Sequence, residues 1–173
     1  SEKGSVGSLL KDIKIMSNFG SKKDELFIQT PYRYKKYLLD KEQDQENRQL
    51  METGDLGELR EGYLFITGRI KDIIIKGGIN ISPIYLENKI SEVDGVQDIS
   101  VVGLPHDFWG EVPYAFIVAE IDKSEEEIEK NILTFLKNTI DESIIPEKYI
   151  WLDEMPKSPN GKILKNKLIE GII

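Results

Sequence analysis

Four short clusters hold residue types able to do chemistry on a phosphorylated or carboxylated small molecule. In Thr53-Gly54-Asp55 a carboxylate stands beside a glycine. Such a carboxylate can accept hydrogen bonds from two neighbouring hydroxyls, as on the 2′ and 3′ positions of a ribose. The same tripeptide also makes an ordinary turn, with Asp as the turn former. In Gly68-Arg69-Ile70-Lys71-Asp72 the planar fork of Arg69 suits phosphate or ribose oxygens. The plainer reading is a surface charge cluster at a strand end. In Lys76-Gly77-Gly78-Ile79-Asn80-Ile81 the paired glycines permit positive φ and the close approach of a backbone or a thin ligand. They also serve to turn a strand into a helix. In the run from Pro156 to Ile163, Asn160-Gly161 makes a tight turn with Lys162 at its tip. An ammonium there can stabilise negative charge developing on a phosphate or carboxylate. The alternative is a solvated lysine among its neighbours Lys157, Lys165 and Lys167.

Other conspicuous residues read as structural. His106 follows Pro105 and suits a loop rather than catalysis. Trp109 reads as a packing anchor at a turn. Glu125, Glu126 and Glu127 suit the first turn of a helix, where the dipole favours negative charge.

The elements that must position these clusters change character near residue 70. Residues 13–16 and 25–30 read as strands, joined through the turn-forming Asn18-Phe19-Gly20-Ser21. Tyr32 to Leu39 suggests a third strand, Asp40 to Gln49 an exposed polar loop, and Gly62 to Thr67 a further strand. Beyond Ile70 the pattern is mixed. Asp72 to Lys76 is a short apolar strand, and Ser82-Pro83 starts a helix with a good N-cap followed by proline. Ile84, Leu86, Ile90 and Val93 form its apolar stripe, and Asp94-Gly95 ends it. Ile99 to Leu104 and Val112 to Glu120 read as buried strands. Ser124 and Glu127 form a capping box before Ile128, Ile132, Phe135, Leu136 and Ile140, which recur at helical spacing. A strand over Lys148 to Leu152 and a helix from about Gly161 finish the chain. The expected class is α+β: a β-rich segment, residues 1–69, then a small α+β domain, residues 70–173, with a short sheet flanked by helices.

Composition narrows the function. The 173 residues carry 23 Lys and Arg against 31 Asp and Glu, a net charge of −8, which disfavours nucleic acid as a partner. There is no cysteine, so disulfides, thiolate metal sites and cysteine nucleophiles are excluded. One histidine argues against a multi-His metal site, and no metal ligands are assigned. No apolar run approaches the roughly 20 residues that span a bilayer. No signal peptide is visible either, which is compatible with the cytoplasm.

The order and spacing of the clusters are more specific than any one of them. T-G-D-L-G-E-L-R-E-G-Y-L-F-I-T-G-R-I-K-D-I-I-I-K-G-G-I-N-I-S-P, then V-V-G-L-P-H-D-F-W-G-E-V-P-Y-A, then M-P-K-S-P-N-G-K-I-L closely resembles the C-terminal third of the adenylate-forming superfamily. That superfamily contains acyl-CoA synthetases, adenylation domains of peptide synthetases and luciferases. The resemblance is strong over about residues 53 to 168 and weak upstream. It implies an enzyme that joins a carboxylic acid to ATP, with Mg2+ expected, giving an acyl-adenylate and pyrophosphate. A thiol, from CoA or a phosphopantetheinyl carrier protein, then displaces AMP. By the resemblance, Asp55 holds the ribose hydroxyls and Arg69 contacts ribose or phosphate. Lys162 stabilises the adenylation transition state, and Lys71 is the hinge about which the C-terminal domain turns between half-reactions. Gly77 and Gly78 would line the pantetheine channel.

The chain also departs from the family. The Ser/Thr/Gly-rich phosphate loop, the aromatic-Gly-x-Thr-Glu segment and most of the acyl pocket are missing from this sequence. Leu50, Met51 and Glu52 stand where an aromatic often precedes Thr-Gly-Asp. The chain begins at Ser1, and it is expected to be the C-terminal part of a longer ligase whose N-terminal domain it needs, inactive alone. The tail K-I-L-K-N-K-L favours an acid–CoA ligase. The alternatives are a carrier-loading adenylation domain and a non-catalytic module that binds nucleotide or a partner.

Overall fold

A computed structural model describes residues 4–17, 25–31 and 51–172, and these divide into two compact units, Ser1–Lys71 and Asp72–Ile173. The expected turn at 18–21, the strand over 32–39 and the polar loop over 40–49 lie outside the described residues.

The first unit is an antiparallel sheet. Its strands are β1 (Gly7–Ser8), β2 (Lys14–Ser17), β3 (Glu25–Gln29), β4 (Met51–Arg60) and β5 (Tyr63–Arg69), in the order β1-β5-β4-β3-β2. β4 is a ten-residue strand that contains Thr53-Gly54-Asp55. The sequence does not show it as a strand because Gly54, at φ +69°, sits in a bulge where Thr53, Gly54 and Asp55 lie opposite the single Leu26 of β3, which breaks the two-residue alternation. β4 and β5 are joined by Glu61-Gly62, both with positive φ, the geometry that matches strand twist in a two-residue hairpin. Residues 70–72 form a single 3-10 turn.

The second unit is built around one strand buried on both faces. Its elements are β6 (Ile74–Lys76), β7 (Ile79–Ile81), α1 (Pro83–Ile90), β8 (Val96–His106), β9 (Gly110–Ala119), α2 (Glu125–Thr139), β10 (Lys148–Trp151) and α3 (Lys165–Glu170). β9 pairs antiparallel with β8 and parallel with β10, and meets β6 at Lys76↔Gly110. Ala115 and Ile117 join Leu86 and Ile90 of α1 and Ile128, Ile132 and Leu136 of α2 in one core. Phe116 and Val118 point the other way, into a smaller core with Met155 and Leu168. A strand covered on both sides reads as a continuous apolar run, which is why the sequence shows a strand over Val112 to Glu120, one residue beyond its end at Ala119.

The helices follow their caps. The Ser82 side chain accepts from the Tyr85 N–H, and Ser124 accepts from Glu127, as the sequence suggested. Two boundaries differ. α1 ends at Ile90 with Ser91 as its cap, before Asp94-Gly95. The last helix starts at Lys165 rather than near Gly161, because Gly161 has φ +82° and residues 157–163 form a closed turn instead. Among the described residues, no helix is long and apolar enough to cross a membrane.

Candidate functional site

Asp55 and Arg69 are opposite each other on β4 and β5. The Arg69 Nε–H donates to Asp55 Oδ1 at 2.8 Å. Thr53 fixes the approach: its hydroxyl donates to the Leu26 carbonyl at 2.7 Å and accepts from the Asp55 N–H at 3.0 Å. The Asp55 and Arg69 side chains are 27% and 44% exposed. An ion pair this wet contributes at most about 1 kcal/mol, so stability is a weak reason for it. The arrangement presents a carboxylate and a guanidinium side by side, which suits a hydroxyl-bearing anion. Lys71, the last residue of the first unit, is exposed within the 3-10 turn.

Gly77 and Gly78 form the two-residue turn of the β6–β7 hairpin, not a strand-to-helix turn. The three-residue β7 hid because it is too short to show alternation. Both glycines have positive φ, +55° and +87°. Only Gly77 is also hemmed in. Its N–H donates to the Trp109 carbonyl at 2.8 Å, and a Cβ would sit 2.7 Å from the Trp109 ring. Gly78 faces open space. Trp109 is held in its turn by His106, whose Nδ1 accepts from the N–H groups of Phe108 and Trp109 at 3.1 and 3.2 Å. His106 is thus a turn-closing group, and it is the last residue of β8, paired with Gly110, rather than the loop residue the sequence suggested.

The two glycines can be separated experimentally. Both tryptophans lie in the second unit, so their fluorescence reports its unfolding alone. Gly78→Ala is expected to cost roughly 1 kcal/mol for the left-handed backbone. Gly77→Ala meets the same backbone penalty and adds a clash with the Trp109 ring, which is 43% exposed and partly yields, for a total of about 2 kcal/mol. Equal shifts of the urea midpoint in the two variants would refute the steric role of Trp109.

Lys162 is exposed and extends from a turn that Ser158 closes. The Ser158 N–H donates to the Lys162 carbonyl at 2.8 Å, and the Lys162 N–H donates to Ser158 Oγ at 3.1 Å. The Gly161 N–H donates to the Ser158 carbonyl at 2.8 Å, and Lys157 pairs with Ile163 across the base. The backbone is fixed and the ammonium is free to be aimed. That suits a point charge placed to meet charge as it develops. Ser158 lies four residues before the lysine, and nothing in the sequence marks it for a role. Its hydroxyl spanning the turn is what sequence reasoning missed.

Asp55 and Arg69 are thus brought together within the first unit. Gly77, Gly78 and Lys162 belong to two separate turns of the second. Among the described residues, no group of three or more metal-ligating side chains is arranged to hold an ion.

Residues 85–162 match the family described as the AMP-binding enzyme C-terminal domain. The chain is 41% identical over 119 residues to the long-chain-fatty-acid–CoA ligase FadD13 of Mycobacterium tuberculosis, covering 68% of this chain and 23% of that protein. It is 44% identical over 119 residues to the 2-succinylbenzoate–CoA ligase of Listeria monocytogenes, covering 68% of this chain and 25% of that protein. Among solved structures, ATP-bound MatB from Rhodopseudomonas palustris matches with a TM-score of 0.82 at 28% identity. That match covers 97% of this chain and 35% of the other. The chain therefore spans about a quarter of the length of these curated relatives.

Proposed function

We propose, from the premise that this chain belongs to the adenylate-forming enzymes and carries their C-terminal domain, that it works within an ATP-dependent acid–CoA ligase. In the first half-reaction a carboxylate oxygen attacks the α-phosphorus of ATP, and pyrophosphate leaves. In the second, a thiol attacks the acyl carbon, and AMP leaves. Asp55 accepts from the ribose hydroxyls, with Arg69 beside it for ribose or phosphate oxygens. Lys162 meets the charge that builds up during adenylation. Lys71 is the hinge of a mobile domain over residues 70–173, and the Gly77-Gly78 turn lines the way of the pantetheine thiol. Residues 1–69 are then the end of a large N-terminal domain that supplies the phosphate loop and the acyl pocket. Mg2+ would come with the phosphate chain of ATP, and the setting is read as cytoplasmic.

The observation that carries this reading is the Ser158-closed turn presenting an exposed Lys162 within the span matched by the family. CoA is favoured over a carrier protein because the relatives above are CoA ligases. The test takes the full-length enzyme carrying this chain and a panel of short, long and aromatic carboxylic acids. Acid-dependent ATP–pyrophosphate exchange is expected, followed by a thioester when CoA is added. Exchange with no acid would overturn the ligase reading. Exchange without CoA thioester, but with acylation of a phosphopantetheinyl protein, would replace CoA by a carrier.

A further inference from the structure

The turn that bears Lys162 is anchored on both sides to one strand. Before it, the Lys157 ammonium lies 2.5 Å from Asp98 Oδ2 on β8. After it, the Lys165 ammonium donates to Glu87 Oε1 at 3.0 Å and to the Val101 carbonyl of β8 at 2.9 Å. Glu87, on α1, accepts the Val101 N–H at 2.8 Å with the same oxygen. Lys165 and Glu87 therefore occupy both backbone groups of Val101, which a neighbouring strand would otherwise use. The Lys165 and Glu87 side chains are only 33% and 20% exposed, and Val101 is fully buried. A charge pair that is hydrogen-bonded to backbone and largely shielded holds position far better than a wet one.

Lys165 is three residues from Lys162, so the two are linked by no more than about 10 Å of chain. The opening of α3 supplies no side-chain cap of its own. What holds the exit of the turn is the Leu164 N–H donating to the Pro156 carbonyl at 2.8 Å, the Lys165 bonds, and Leu168 in the smaller core. We propose that Lys165, seated on Glu87 and Val101, is a positioning residue that fixes the turn from which Lys162 acts in adenylation. This deepens the reading of Lys162 given above and rests on it. Lys165 touches no reacting atom in this scheme. Its effect is on where the Lys162 ammonium sits, and a misplacement of about 1 Å can cost about 10²-fold in rate.

The test separates the two half-reactions in the full-length enzyme. Lys165→Met keeps the stem and removes the charge. It is expected to slow adenylate formation by about 10²-fold while leaving thioester formation from supplied acyl-adenylate nearly unchanged. Lys165→Arg, which keeps a cation able to reach Glu87, is expected to restore most of the rate. Amide exchange at Gly161, Lys162 and Leu164 should quicken in Lys165→Met and not in Lys165→Arg. Glu87→Gln is the second route should Lys165→Met fold poorly, and the same selective loss at smaller size is expected. Unchanged adenylation, an equal loss in both half-reactions, or unchanged amide exchange would overturn the proposal. Lys162→Ala run in parallel keeps the two claims apart. If that variant adenylates normally, the role of Lys162 falls, whereas amide exchange alone still decides whether Lys165 fixes the turn.

Discussion

Lys162→Ala in the full-length enzyme is expected to cut adenylate formation by about 10²- to 10³-fold, the cost of removing one preorganised group that meets developing charge. Thioester formation from a supplied acyl-adenylate should be far less affected. The asymmetry follows from the chemistry. In adenylation, charge redistributes over phosphate oxygens as the bond to pyrophosphate breaks, and an ammonium near them stabilises the transition state more than the ground state. In thioester formation the acyl carbon is attacked and its bond to the phosphate oxygen breaks, so charge builds first on the acyl oxygen and no bond to phosphorus is made or broken. The substitution removes no packing, since Lys162 is exposed and the turn is closed by backbone and Ser158 bonds. Stability should therefore be unchanged, which makes this variant a clean reading of charge. The measurements are acid-dependent pyrophosphate exchange and CoA-dependent consumption of synthetic acyl-adenylate. Equal loss in both would remove Lys162 from the assigned role.

Lys71→Pro is expected to produce a different signature. Lys71 sits in the 3-10 turn of residues 70–72, where φ is typically near −60°. Proline fixes φ close to that value, so it tolerates this conformer and forbids rotation away from it. If Lys71 is the hinge, the variant is held in one state and the step requiring the other state stalls. One half-reaction should then proceed near its normal rate while the complete cycle slows by orders of magnitude. Proline also disfavours the helical region for the residue before it, here Ile70, so folding is checked by circular dichroism. Normal rates for both half-reactions would show that no rotation at Lys71 is needed.

Much of the second unit was legible because its signals are local. α2 has a Ser cap, three acidic residues in its first turn, and Ile128, Ile132 and Leu136 one turn apart. β9 is a continuous apolar run because it is covered on both faces. The first unit gave less. β4 carries a glycine at positive φ within a bulge against β3, which erases the strand pattern, and the extra residue Thr67 on β5 is what sets Asp55 opposite Arg69. The residues singled out for chemistry were visible only through their order along the chain, since each cluster alone has an ordinary structural explanation. What no pattern could show was the cross-chain bonding: Glu87 and Lys165 are 78 positions apart and meet only because α1 and α3 both lie against β8.

The crowding of Gly77 by Trp109 bears on how sequences of this kind can change over generations. The two positions are 32 apart in the chain, yet what one tolerates depends on what stands at the other. While the ring is present, any side chain at Gly77 meets both a clash and a backbone penalty. Once a small residue has replaced Trp109, only the backbone penalty remains. One order of substitution therefore passes through a less stable intermediate than the other, although both end at the same pair. The tight turn is in this sense a ratchet: so long as the indole stays, it keeps the glycine in place.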